Sequence, residues 1–187
     1  MYLNFDEVPL AFDLTPKTTY TQKGEKETVI KATSANKLNA TCVLALTSNG
    51  SKLPPMIILK NPSAKGYSLE NHFPDYLILK QSTSGFINED ILKDYMNSII
   101  LNLKLKREEQ LHAILDRCKV HLKPSITEMF QQNNVAFSFI PAGTTGFIQP
   151  LDFYTNKSFK EYIFDVISAN GLGKKHSFFQ MLLNLAI

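Results

Sequence analysis

A change in hydrophobic rhythm near residue 88 constrains this chain more than any other feature. Before it, apolar and β-branched residues come in short runs at 2–5, 27–35 (ETVIKATSA), 38–50 (LNATCVLALTSNG), 56–60 (MIILK) and 76–80 (YLILK). Runs this short, bounded by Gly, Pro, Asn or charge, predict strands. Asn49-Gly50 is the pair that best tolerates positive φ in a tight hairpin turn, and Pro54 and Pro55 suit a strand start or sheet edge. After residue 88 the pattern alternates. A helix is predicted over 88–104, with Asn88 as cap, Glu89 and Asp90 in its first turn, and Ile91, Leu92, Tyr95, Met96, Ile99 and Leu103 on one face. A strand (111–116), a helix (123–134), a strand (135–141) and a helix from about Pro150 to Ser168 follow. Consecutive strands followed by alternating units imply an α/β protein. Its mixed sheet should run as an antiparallel meander and then parallel strands, with helices on both faces.

A chain of 187 residues with 44% hydrophobic content can form one domain with a real core. We expect that domain to span 1–168. A break at ANGLGKK (169–175) should separate a C-terminal helical extension, 169–187, whose apolar end reads as a shortened chain. Twenty basic against 17 acidic residues leave a net charge of +3, too small to imply nucleic-acid binding by itself. Two cysteines, Cys42 and Cys118, offer no disulfide framework and fit a reducing compartment. No apolar run approaches the length of a membrane span, and MYLNFDEVPL lacks the layout of a signal peptide.

Three acids stand at positions where this architecture collects ligands. Asp6 follows the first strand, Asp116 ends the strand 111–116, and Asp152 opens the last long helix. With Asp152 at zero on a helical wheel, Phe159 lies at about −20° and Ile163 at about +20°. Asp152 therefore points with the apolar stripe. A first-turn acid favoured by the helix dipole is the plain reading, and strand-end turn residues are the plain reading of the other two. If the first and fifth strands are parallel neighbours, Asp6 and Asp116 share one carboxyl edge. Three carboxylates gathered there repel one another unless divalent cations lie between them, and oxygen donors without Cys or His clusters favour Mg²⁺ or Mn²⁺.

Several stretches resemble a known family. NFDE (4–7), TSNGSKLPPMIILK (47–60), SGF (84–86), AILDRCKVH (113–121), IPAGTTGFIQPLD (140–152) and NKSFK (156–160) are similar, in order, to the catalytic domain of DDE-type transposases. The branch is the pogo, Tigger and jerky group of the mariner superfamily. Its acids, in "DE", "LLLD" and "QPLD", fall on Asp6, Asp116 and Asp152, with 35 residues between the last two as in that branch. The resemblance implies a ribonuclease-H-like fold, catalytic metal ligands at these three positions, and Mg²⁺ (or Mn²⁺) as cofactor. It further implies DNA partners (transposon ends and target), a homodimer and a nuclear location. Asp6 would bridge two metals about 4 Å apart, with Asp116 and Asp152 each completing one coordination shell. Secondary candidates are Glu7, a rival to Asp6; His121, which matches a histidine common in the family; and Asn156 and Lys160, one and two turns beyond Asp152. For the last two, a phosphate contact and a solvated helix edge are equal alternatives.

Two functional classes stay open. One is a metal-dependent endonuclease performing phosphodiester cleavage and strand transfer. The other is a domesticated, non-catalytic DNA- or chromatin-binding protein. Members of the family carry N-terminal helix-turn-helix domains that read element ends, and here the first acid is reached at position 6. Recognition of element ends and autonomous transposition are therefore left open, with a fragment, a degenerate copy and a host-recruited derivative as the alternatives. A cellular ribonuclease-H-type enzyme fits the acids but not GSKLPPMIILK.

Overall fold

A computed structural model describes residues 1–11, 39–60, 77–106 and 110–170. Strands β1 (Tyr2–Ala11), β2 (Asn39–Thr47), β3 (Met56–Lys60) and β4 (Ile78–Ser82) precede helix α1 (Glu89–Lys106). Then come β5 (His112–Leu115), α2 (Pro124–Gln132), β6 (Ala136–Phe139), a four-residue helix α3 (Thr145–Ile148), a π turn (Leu151–Thr155) and α4 (Asn156–Asn170). The described strands form one sheet in the order β4-β3-β2-β1-β5-β6. β1, β2 and β3 make an antiparallel meander; β4 joins β3, and β5 and β6 join β1, in parallel. The expected mixed sheet is present. The expected strand at 27–35 and all but the first two residues of the expected extension, 169–187, lie outside the described residues.

Alternation along β1 divides the core in two. Leu3 and Phe5 face α1 and α2, packing with Leu92, Tyr95, Met96, Ile99, Ile126 and Phe130. Val8 and Leu10 face the other way, with Cys42, Ile57 and Ile163 of α4. Helices therefore cover both faces. Asn88 caps α1 by accepting the Ile91 amide at 2.9 Å, and Pro124 takes the first position of α2, where its missing N–H costs no helical bond. The β2–β3 connection does turn at Asn49-Gly50, but only Gly50 takes positive φ, at +82°; its amide donates to the Thr47 carbonyl, with Ser48 and Asn49 at the centre of the turn.

Two expectations need correction. Asp6 does not end β1 but lies at its middle, because β1 continues along β2 as far as Ala11. The parallel partner β5, however, pairs only with Tyr2, Asn4 and the residue between them. Asp6 thus lies just past the carboxyl end of the β1–β5 ladder although its own strand goes on. Pro9 fits there: among the described residues, that stretch of β1 is paired on one side only. The last helix is also not one regular α-helix. Its first turn, which carries Asp152, is a π turn, and α4 then runs to Asn170.

Candidate functional site

The site is assembled where β1, β5 and the π turn meet. Asn4, on the α4 face of β1, is buried; its Nδ2 donates to the Ile114 carbonyl of β5 at 3.0 Å, and its Oδ1 accepts the Leu151 amide at 3.2 Å. One side chain thus ties both strands to the start of the π turn. Two residues along the same face is Asp6. One turn past Leu151, Asn156 is buried, and its Nδ2 donates to Asp6 Oδ2 at 2.5 Å and to Asp152 Oδ1 at 2.9 Å. Two acids from opposite ends of the described chain therefore meet on one amide nitrogen.

Electrostatics follow from that meeting. Burial, reinforced by the neighbouring Asp152 charge and to a smaller extent by Asp116, pushes the Asp6 carboxyl up to about 6, against hydrogen bonds from the Glu7 backbone and Asn156. Nothing cationic offsets this pair in the described site. The Asn156 Oδ1 is buried without a hydrogen-bond partner, an arrangement that costs about 1–3 kcal/mol.

Asp116, one residue beyond β5, is held differently. His121 is buried, sets its ring edge-on to Phe5 at 5.1 Å, and brings Nδ1 to 2.6 Å from Asp116 Oδ1. The Cys118 amide donates to the same oxygen at 3.2 Å. On the other side of the ring, Nε2 lies 3.3 Å from Glu7 Oε1, an ion-pair distance without hydrogen-bond alignment. Burial opposes charging the imidazole, but Asp116 and Glu7 outweigh it and raise His121 to about 9. Burial likewise opposes charging Asp116, and the His121 hydrogen bond wins, holding that carboxyl below its usual range. His121 is thus an imidazolium between two carboxylates.

The family model for the DDE superfamily endonuclease matches residues 37–177. The chain belongs to this DDE superfamily endonuclease family. The mouse protein "Pogo transposable element with KRAB domain" is 26% identical over 162 residues, covering 86% of this chain and 26% of that protein. The human "Pogo transposable element with ZNF domain" is 20% identical over 163 residues, covering 87% of this chain and 11% of that protein. The chain spans about a quarter or less of the curated relatives it matches. Its fold is similar to the Mos1 mariner paired end complex with Mn, with a TM-score of 0.57, 12% identity and coverage of 98% of this chain and 52% of that one. The Mos1 strand transfer complex gives a TM-score of 0.55 at 12% identity. The fold is the ribonuclease-H-like one the sequence led us to expect.

Within this DDE superfamily endonuclease domain, the sequence-derived candidates separate into two groups. Asp6, Asp152 and Asn156 are in contact on the α4 face; Asp116 is engaged with His121, which also lies beside Glu7, while the Asp116 charge still acts on Asp6. Glu7 is divided from Asp6 by the strand itself, since consecutive residues point to opposite sides. Lys160 is exposed on α4. Asn4 went unweighed in the sequence; its signal was an amide on the buried face of an apolar strand, a position that demands partners.

The donor set suits a hard divalent cation, since carboxylate oxygens of Asp6 and Asp152 already converge on one point. Among the described residues, no three His, Cys, Asp or Glu side chains form a metal-ligating group as they stand. Asp116 is drawn toward His121 instead.

Proposed function

We propose that this chain is the catalytic domain of a transposase-derived, metal-dependent DNA endonuclease acting on phosphodiester bonds, with strand transfer to target DNA as its further step. The observation that carries the reading is the amide of Asn156 binding Asp6 and Asp152 together, 150 and four positions away, at the carboxyl edge of parallel strands. A half-buried carboxylate pair, with Asp6 raised by burial and by the Asp152 charge, is a poor structural choice but a sound cation site. Asp6, Asp152 and Asp116 would hold Mg²⁺ or Mn²⁺; for Asp116 this requires turning from His121. Bound divalent cations would supply activation of the attacking oxygen and neutralise charge at phosphorus.

The chain's own residues do the rest. Asn4 fixes the distance between β1, β5 and the π turn, so the carboxylates keep their places as charge changes. His121 restrains Asp116 and keeps it ionised. Lys160, exposed on α4, would contact a backbone phosphate. The partners in this reading are transposon ends and target DNA, a second copy of the chain completes a homodimer, and the protein works in the nucleus.

A second reading, a non-catalytic DNA- or chromatin-binding derivative, draws on one observation: Asp116 is engaged with His121 rather than with the other two acids. A nicking assay on supercoiled and end-containing DNA with Mn²⁺ separates the two. Cleavage by wild type that Asp152→Asn abolishes supports the endonuclease. DNA binding without cleavage, unchanged in Asp152→Asn, supports the other.

A further inference from the structure

Metal-dependent action at this site leaves one gap. Asp6 and Asp152 converge on a single point, yet no third His, Cys, Asp or Glu among the described residues joins them there. The group that does occupy the point is the Asn156 amide. Its two N–H bonds serve the two carboxylates, while its Oδ1 is buried and unpartnered. The nitrogen thus borders the place that a cation held by those oxygens would take.

We propose that Asn156 is a metal ligand of this site, switching from donor to acceptor when a divalent cation binds. Half a turn of the amide about its last torsion exchanges Nδ2 for Oδ1. The oxygen then faces the cation beside Asp6 and Asp152. The same side chain thus serves both states: without metal it links two carboxylates that repel, and with metal it contributes a third hard oxygen from the same helix that carries Asp152. Both ends of the amide then have work, which accounts for burying an acceptor that is idle in the metal-free state.

This inference rests on the metal-dependent reading above, and one experiment distinguishes the two. Mn²⁺ affinity is measured by titration calorimetry on the full chain as wild type, Asn156→Ala, Asn156→Asp and Asp152→Asn, with melting temperatures recorded in EDTA. Asn156→Ala should bind Mn²⁺ about tenfold more weakly. Asn156→Asp, which keeps the oxygen and adds charge, should bind at least as tightly as wild type yet melt lower in EDTA, where a third carboxylate replaces the donor. Asn156→Ala binding Mn²⁺ as well as or better than wild type would show that the amide is only a placeholder, and would overturn the ligand role alone. Weaker binding by Asn156→Asp would overturn it too, even if the alanine variant did not fold. Wild type that binds no Mn²⁺ removes the metal reading and this inference together.

Discussion

Removing the charge of Asp6 should stabilise the metal-free protein, and the size of the gain is set by its surroundings. Its carboxyl is raised from 3.8 to about 6, chiefly by burial and by Asp152. In the unfolded chain the acid ionises near pH 4, whereas in the folded chain it keeps its proton until about pH 6. Between those values the folded state binds more protons, so stability falls as pH rises, by about 1.4 kcal/mol per pH unit. The accumulated loss above pH 6 is about 3 kcal/mol. Asp6→Asn cannot lose it. In EDTA the variant should match wild type near pH 3.5, pull ahead between pH 4 and 6, and exceed it by about 2–3 kcal/mol at pH 8, which is roughly 5–10 °C in melting temperature. Urea unfolding at those pH values measures the gap. Excess Mn²⁺ should close the gap. At a hundred times Kd, binding adds about 2.7 kcal/mol to wild type and little to the variant. A gain equal at pH 3.5 and pH 8, or a variant less stable at pH 8 in EDTA, would refute the view that Asp6 is held against its own charge.

Three further outcomes follow from the geometry. His121, raised from 6.5 to about 9, contributes stability that is fully present below pH 6.5 and lost as pH rises toward 9; His121→Ala should cost about 3–5 kcal/mol at pH 6 and flatten that limb in urea titrations. Asn4→Ala strands the Leu151 amide and the Ile114 carbonyl, so denaturant melts should show a loss of about 1–3 kcal/mol. Phe130→Ala, in the core between α2 and the sheet, should cost about 3–5 kcal/mol in the same assay.

Elements with a clean period were legible in the sequence. Helix α1 and strands β2 and β3 fall where their apolar spacing and turn residues put them, because propensity and burial agree there. β1 reads short in the sequence because Asp6-Glu7 looks like a pair of strand-enders. What overrides them is pairing with β2 across nine residues, a long-range term invisible in a local window. The inward aim of Asp152 was legible from Phe159 and Ile163, which do pack against the sheet. The π turn was not, since a 100° wheel assumes the very regularity it breaks. Nor could spacing show that Asn156 would be shared between two acids, or that Asp116 would be drawn to His121. Both depend on where separate elements come to rest.

The five-residue turn at Leu151–Thr155 has a consequence for how this region tolerates change in length. Deleting one residue within it would let the backbone relax into ordinary α geometry while the helix beyond stays nearly in phase, because a π turn spends one extra residue on about one revolution. Ile163 would stay under the sheet, and the loss would fall on the spacing between Asp152 and Asn156. A residue lost from the regular turns between Asn156 and Ile163 would instead swing everything beyond it by about 100°. The cation cradle and the packing of α4 are therefore sensitive to different changes in length.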